Sequence, residues 1–199
     1  MEMSEAFTFE LHHYRLKKQT GFEGIVGPFG KVITIRPGSR ILGRKDPPEA
    51  ELRLQGANMP EARYRSDSFH PLSLENSSLF IDGTQAELDF NRRAFRNKSR
   101  ALMISFRERS YTYTVVRTDR TFVLERPDVN VTLDRAKTTT GRSWKYVGTA
   151  SDGADPVDLA LAIVLKEVDT SPLTSIGAAS AALNAVLTPR RDEPGGYSD

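Results

Sequence analysis

The stretch Asp155-Pro156-Val157-Asp158-Leu159-Ala160-Leu161-Ala162-Ile163-Val164-Leu165-Lys166-Glu167-Val168 decides the fold of this chain. It opens with a helix-start signature: Asp155 as N-cap, Pro156 at the first helical position, and Asp158 in the first turn. A carboxylate there meets the positive end of the helix dipole. The spacing predicts a helix from Pro156 to Val168. Val157, Leu159, Leu161, Ile163 and Val164 fall around its whole circumference instead of along one stripe. A helix apolar on every side has to be buried on every side.

What flanks it on the N-terminal side reads as strand. Phe7, Phe9 and Leu11 alternate with Thr8, Glu10 and His12, the period of a half-buried strand. Lys31 to Arg36 follows and is stopped by Pro37-Gly38; Ser39 to Arg44 resumes and is broken by Pro47-Pro48. Glu51 to Gln55 gives a short alternating piece, while Met59 to His70 is ambiguous. Leu79 to Asp82 and Gln85 to Phe90 flank Gly83-Thr84 as a tight hairpin. Arg100 to Arg126 is the clearest part, an antiparallel meander with Leu102, Ile104 and Phe106, then Tyr111, Tyr113 and Val115, then Phe122 and Leu124 on one face. Its turns are expected at Arg109-Ser110 and Asp119-Arg120. Val129 to Leu133 and Ser143 to Thr149 complete about twelve strands, one per ~12 residues, the spacing of a barrel or sandwich. The expected fold is mainly β: an antiparallel barrel of about twelve strands enclosing the apolar helix. A sandwich with a covering helix serves the same burial pattern.

A second helix is expected from Pro172 to Leu187. Leu173, Ile176, Ser180, Leu183 and Leu187 form a stripe that would cross a barrel mouth or sheet edge, or dock a protein partner. Residues 1–188 are expected to form a single domain and 189–199 a disordered tail.

Composition narrows the classes. Of the 199 residues, 38% are hydrophobic and 27% charged, enough for a core that needs no staple. Cysteine is absent, which removes disulfides, thiol nucleophiles and cysteine-ligated metals. The first residues carry acid where a signal peptide needs base. The longest apolar run, Leu159 to Leu165, is far short of the ~20 residues that span a bilayer. A cytoplasmic protein without a transmembrane segment is expected.

The formal net charge of +2 conceals a segregation: residues 1–91 hold 11 Lys and Arg against 13 Asp and Glu, residues 92–145 hold 14 against 5, and residues 146–199 hold 3 against 8. The tightest cluster is Arg92, Arg93, Arg96, Lys98 and Arg100, the candidate anion-binding residues. Catalytic patterns fail. Gly21, Gly24, Gly27 and Gly30 recur every three residues without the strand-to-helix context of a phosphate loop, and a bulged or looping hairpin is the better reading. His12 and His13 on one strand face opposite sides and cannot share a metal. Asp152, Asp155 and Asp158 suit a helix start and lack calcium-loop spacing. Trp144, with Lys145-Tyr146, could stack a base or cap a barrel, and core is the favoured reading. No catalytic residue, metal site or cofactor is expected, and with one tryptophan the case for nucleic acid rests on charge alone.

A barrel of about twelve strands threaded by one apolar helix near its C-terminus resembles the tubby C-terminal-like superfamily, which includes tubby proteins, phospholipid scramblases and LURP-one-related proteins. The residues that carry the likeness run from Gly148 through the acidic turn to Asp169, the Ala/Leu/Ile/Val helix lying between. The resemblance implies a non-enzymatic binding domain. It carries over no functional residue, because neither the tubby phosphoinositide motif nor the scramblase calcium segment is present. The expected partner is an anionic membrane surface or a phosphoinositide-like headgroup, met by a protein peripheral to the membrane. The other expectation is a structural or protein-interaction module docking through the C-terminal helix.

Overall fold

The computed structural model describes residues 5–16, 19–37, 50–67, 72–90, 101–117, 120–138 and 144–174. Their strands are β1 (Phe7–Leu16), β2 (Gln19–Ile25), β3 (Lys31–Pro37), β4 (Ala50–Gly56), β5 (Ala62–Ser66), β6 (Leu72–Ser73), β7 (Ser77–Ile81), β8 (Thr84–Phe90), β9 (Leu102–Phe106), β10 (Arg109–Arg117), β11 (Thr121–Arg126), β12 (Val129–Lys137) and β13 (Trp144–Ala150). The helix α1 (Pro156–Leu165) and the short β14 (Val168–Asp169) follow. All strands but β6 and β14 form one closed antiparallel barrel, each paired with its neighbours in chain order. Closure is made by β1, which pairs with β2 on one side and β13 on the other. A sandwich is thereby ruled out.

Period-two alternation explains what fills it. Phe9 and Leu11, Leu52 and Leu54, Leu102, Ile104 and Phe106, Tyr111 and Tyr113, and Val131 and Leu133 are buried, while their chain neighbours face outward. An eight-stranded barrel is filled by its own side chains, so twelve strands leave space along the axis. The helix occupies it. Asp158 to Leu165 are all buried, on every side of α1. Ten residues rise ~15 Å, close to the ~17 Å that a seven-residue strand climbs at ordinary barrel tilt. Each buried Leu, Ile or Val contributes roughly 1.5–3 kcal/mol.

The helix ends earlier than Val168. Lys166 caps it at the C-terminus, and Val168 and Asp169 instead pair in parallel with Leu72 and Ser73 as a separate two-stranded ladder. Backbone pairing with β6 replaces the last turn. The expected second helix is also corrected where it is described: Ser171–Leu173 is a single 3-10 turn and Thr174 is extended. The rest of the Pro172–Leu187 span lies outside the described residues, as do Ser39 to Arg44 and the tail 189–199. The expected turn at Arg109-Ser110 sits two residues earlier, with Arg107 at φ 53°, and Arg109 already pairs with Phe106. The hairpin after β7 turns on Asp82 and Gly83, φ 47° and 76°, the two positive values of a type I′ turn.

The glycine-spaced segment is a strand and its turn. β2 runs into a 3-10 turn at Gly27–Phe29 and returns as β3, as a looping hairpin should. Gly24 sits where a Cβ would lie 1.9 Å from the carbonyl oxygen of Glu10 in β1. That oxygen is backbone and cannot rotate away. Gly24→Ala is expected to lower unfolding free energy by about 2–3 kcal/mol in urea denaturation.

Strand alternation also sorts the connections. The turns at 26–30, 57–61, 82–83, 107–108 and 127–128, and the 151–155 link into α1, lie at one end. The C-terminal ends of β1, β3, β5, β8, β10 and β12 lie at the other, as does the C-terminus of α1. These are the hairpin end and the loop end.

Candidate functional site

At the hairpin end two arginine–aspartate pairs close upon the helix start. Asp155 accepts the N–H groups of Val157 and Asp158 at 2.9 and 3.1 Å, and Asp158 accepts that of Asp155 at 2.8 Å, a complete capping box. Arg126 grips both Asp158 oxygens at 2.9 Å, and Arg109 pairs with Asp155. Burial pushes the Asp155 carboxyl up, but hydrogen bonds from Arg109 and the helix backbone overcome it and hold the group below its ordinary value. This arrangement holds the helix in place and leaves no charge over.

The loop end is built differently. Thr34, fully buried on β3, replaces part of the β2–β3 ladder with its side chain, accepting the Phe22 N–H at 2.8 Å. Glu167, just past α1, lies 2.5 Å from the Thr34 hydroxyl, which donates to it, and accepts from Arg36 at 3.4 Å and from Lys166 at 3.3 Å. Arg36 also donates to the Glu167 carbonyl at 2.8 Å. Lys166 is buried with its ammonium 3.6 Å from the centre of the Phe22 ring and 4.6 Å from that of Tyr146. Aromatic faces attract a desolvated cation. Burial nevertheless dominates and brings the Lys166 amine from its ordinary 10.5 down to about 8, against the pull of Glu167.

A depressed lysine has a definite sign in stability. Below pH 8 both folded and unfolded chains carry the proton. Between 8 and 10.5 the unfolded chain holds more of it, so stability rises with pH through that window. Lys166→Met removes this dependence. Its stability advantage over the wild type is expected to be on the order of 2 kcal/mol at pH 7 and to shrink as pH approaches 10, in urea titrations of both proteins.

Above this cluster the inward positions change character. Arg135 stands opposite Tyr146, and Lys137 opposite Trp144, so all four share the inner face. Arg135 lies 4.4 Å over the Trp144 ring and Lys137 5.8 Å. Trp144 is therefore no core residue; it is 37% exposed and caps the mouth beneath two cations. His13 points inward against Phe22 and bonds Thr20 at 3.0 Å, while His12 faces outward beside Glu10, the two sides of one strand.

Unpaired cations gather at one end. Lys31, Arg36, Arg53, Arg63, Arg65, Arg109, Arg126, Lys145 and Lys166 all have carboxylate partners. Among the described residues, Arg15, Arg107, Arg117, Arg120, Arg135 and Lys137 have none, and all but Arg107 stand at the loop end. Arg107 lies over the Phe106 ring. Among the described residues, the exposed large hydrophobics Leu16, Met103, Val116 and Trp144 share that end, and Ile25 lies at the other.

The sequence-derived candidates Arg92, Arg93, Arg96, Lys98 and Arg100 lie outside the described residues, between β8 and β9 in sequence. The cations of β1, β10, β11 and β12 were not singled out from sequence. Their signal was there: Arg135 and Lys137 continue the inward alternation of Val129, Val131 and Leu133 on β12, and Arg15 continues that of Phe7, Phe9, Leu11 and His13 on β1. Among the described residues no group of three His, Asp or Glu side chains is arranged to hold a metal ion, and no helix is long and apolar enough to cross a membrane. Comparison with protein-family models, with curated proteins and with solved structures finds no match to this chain.

Proposed function

We propose that the chain is a non-enzymatic binding module that sets the loop end of its barrel against an anionic membrane surface and its phosphorylated headgroups. One observation carries the reading: unpaired cations and exposed apolar side chains share successive strands of one rim. Met103 on β9, Val116 and Arg117 on β10, Arg120 before β11, Lys137 on β12, Trp144 on β13, and Arg15 and Leu16 on β1 follow one another around it. Tryptophan and aliphatic tips enter the interfacial zone of a bilayer while arginine and lysine meet the headgroups. The five cations of the sequence cluster from Arg92 to Arg100 fall in sequence between the end of β8 and the start of β9, both of which stand at this rim. The barrel with an axial helix, which the tubby C-terminal-like resemblance implies, supports a binding role of this kind.

Co-flotation with liposomes tests it. Binding is expected to vesicles containing phosphatidylserine or phosphoinositide, not to neutral ones, and to weaken as salt is raised. At about 1 kcal/mol per cation, the combined change Arg92→Glu, Arg93→Glu and Arg96→Glu is expected to weaken binding by roughly 100-fold or more. Absence of binding at low salt would end the proposal.

A further inference from the structure

We propose that the inner lip of the loop end, formed by Arg120, Arg135 and Lys137 with Arg15 and Trp144 beside them, is a specific site for a phosphate ester. The inference rests on the anion-facing reading of this end and goes further, because it assigns named donors at the mouth instead of a diffuse surface. Thr121 is the cross-strand partner of Asp134, and the Arg135 N–H donates to the Arg120 carbonyl at 2.7 Å. The backbones of Arg120 and Arg135 therefore stand opposite one another, which places two cations at neighbouring positions of the lip. Like charges in direct opposition destabilise a sheet.

Arg135 and Lys137 lie over the Trp144 ring, but that ring carries no counter-charge. The nearby outward Asp134 accepts a bond from the Thr121 hydroxyl at 2.6 Å, and among the described residues no carboxylate pairs with Arg120, Arg135 or Lys137. Elsewhere in the same barrel such crowding is neutralised: Arg53 and Arg65 share Glu51, and Arg36 and Lys166 share Glu167. A phosphate ester supplies what the lip lacks, since its oxygens accept paired guanidinium donors and its charge lies between them. The Trp144 face offers an apolar wall for the ring or chain that carries the phosphate.

Trp144 is the chain's one tryptophan, and its ring lies under Arg135, so its fluorescence reports on the lip. Titration with soluble inositol trisphosphate at fixed ionic strength is expected to give a saturable change in emission. Arg120→Gln and Arg135→Gln are each expected to weaken it roughly tenfold or more, while Lys31→Gln on the outer wall leaves it unchanged. Without the probe, Arg135→Gln is expected to raise the urea midpoint; an arginine with a purely structural role would lower it. An unsaturable response, or wild-type affinity in both glutamine variants, overturns the proposal. Inorganic phosphate binding as tightly as the inositol compound would assign the site to free phosphate, and selectivity for the inositol compound would assign it to a headgroup. The two readings fail separately. Saturable soluble binding without flotation removes the membrane role and keeps the site, and flotation without soluble binding does the reverse.

Discussion

Asp158→Ala is expected to lower the unfolding free energy by about 3–5 kcal/mol, a large part of the ~5–15 kcal/mol that holds a domain of this size. The carboxylate is fully buried where α1 enters the barrel. It receives two bonds from Arg126 and one from the backbone of Asp155. Alanine leaves the guanidinium, only 19% exposed, facing a low-dielectric wall with half its partners gone. It also opens the capping box, worth roughly 1 kcal/mol by itself. Urea unfolding followed by circular dichroism reads the loss. The paired change Asp158→Leu with Arg126→Met is expected to recover most of it, because removing both charges removes the desolvation penalty along with the attraction. A loss below 1 kcal/mol in the single variant would show that α1 is held by packing alone.

The same residues explain why the barrel was legible. Asp155, Pro156 and Asp158 mark a helix start by local chemistry, and Leu159 to Leu165 leave no polar face, so only enclosure by the surrounding strands satisfies the segment. Strands with clean alternation, such as β9 to β12, announce themselves for the same local reason. β2 does not. Its Gly21 and Gly24 lower strand propensity, and they are required by close approach to the backbone of Thr34 and Glu10, neighbours fixed only by the closed sheet. The segment from Ala62 to Ser66 was obscured similarly, with Arg63 and Arg65 facing outward between buried Ala62, Tyr64 and Ser66. The end of α1 was missed because its competitor is the pairing of Val168 with Leu72, about a hundred residues away in sequence. The candidate site was half legible. Charge segregation pointed to residues 92–145, but which cations lack partners depends on cross-strand neighbours that no spacing along the chain reveals.

Glu167→Ala is expected to cost as much as the loss of Asp158, and to do so at the opposite end. Its side chain is 7% exposed and is the common partner of Arg36 and Lys166, themselves 16% and 0% exposed. Deleting it leaves two buried cations facing each other and removes the acceptor of the Thr34 hydroxyl, an uncompensated loss of about 3–5 kcal/mol. Glu167→Gln keeps a hydrogen-bonding oxygen but not the charge, so most of the penalty is expected to remain. Two measurements distinguish this account from lost packing. First, in the Glu167→Gln background Lys166→Met is expected to restore stability, since it removes one of the unbalanced cations; a packing defect would deepen. Second, Glu167→Gln is expected to become steeply more stable between pH 7 and 9, because without the carboxylate the Lys166 amine releases its proton even more readily than at about 8. The cluster joins the end of α1 to β3 directly beneath Phe22 and Tyr146, whose rings separate it from the arginine-lined lip. Loosening it is therefore expected to shift Trp144 emission, whereas Asp158→Ala, at the far end of the helix, is expected to leave that emission unchanged in the folded protein.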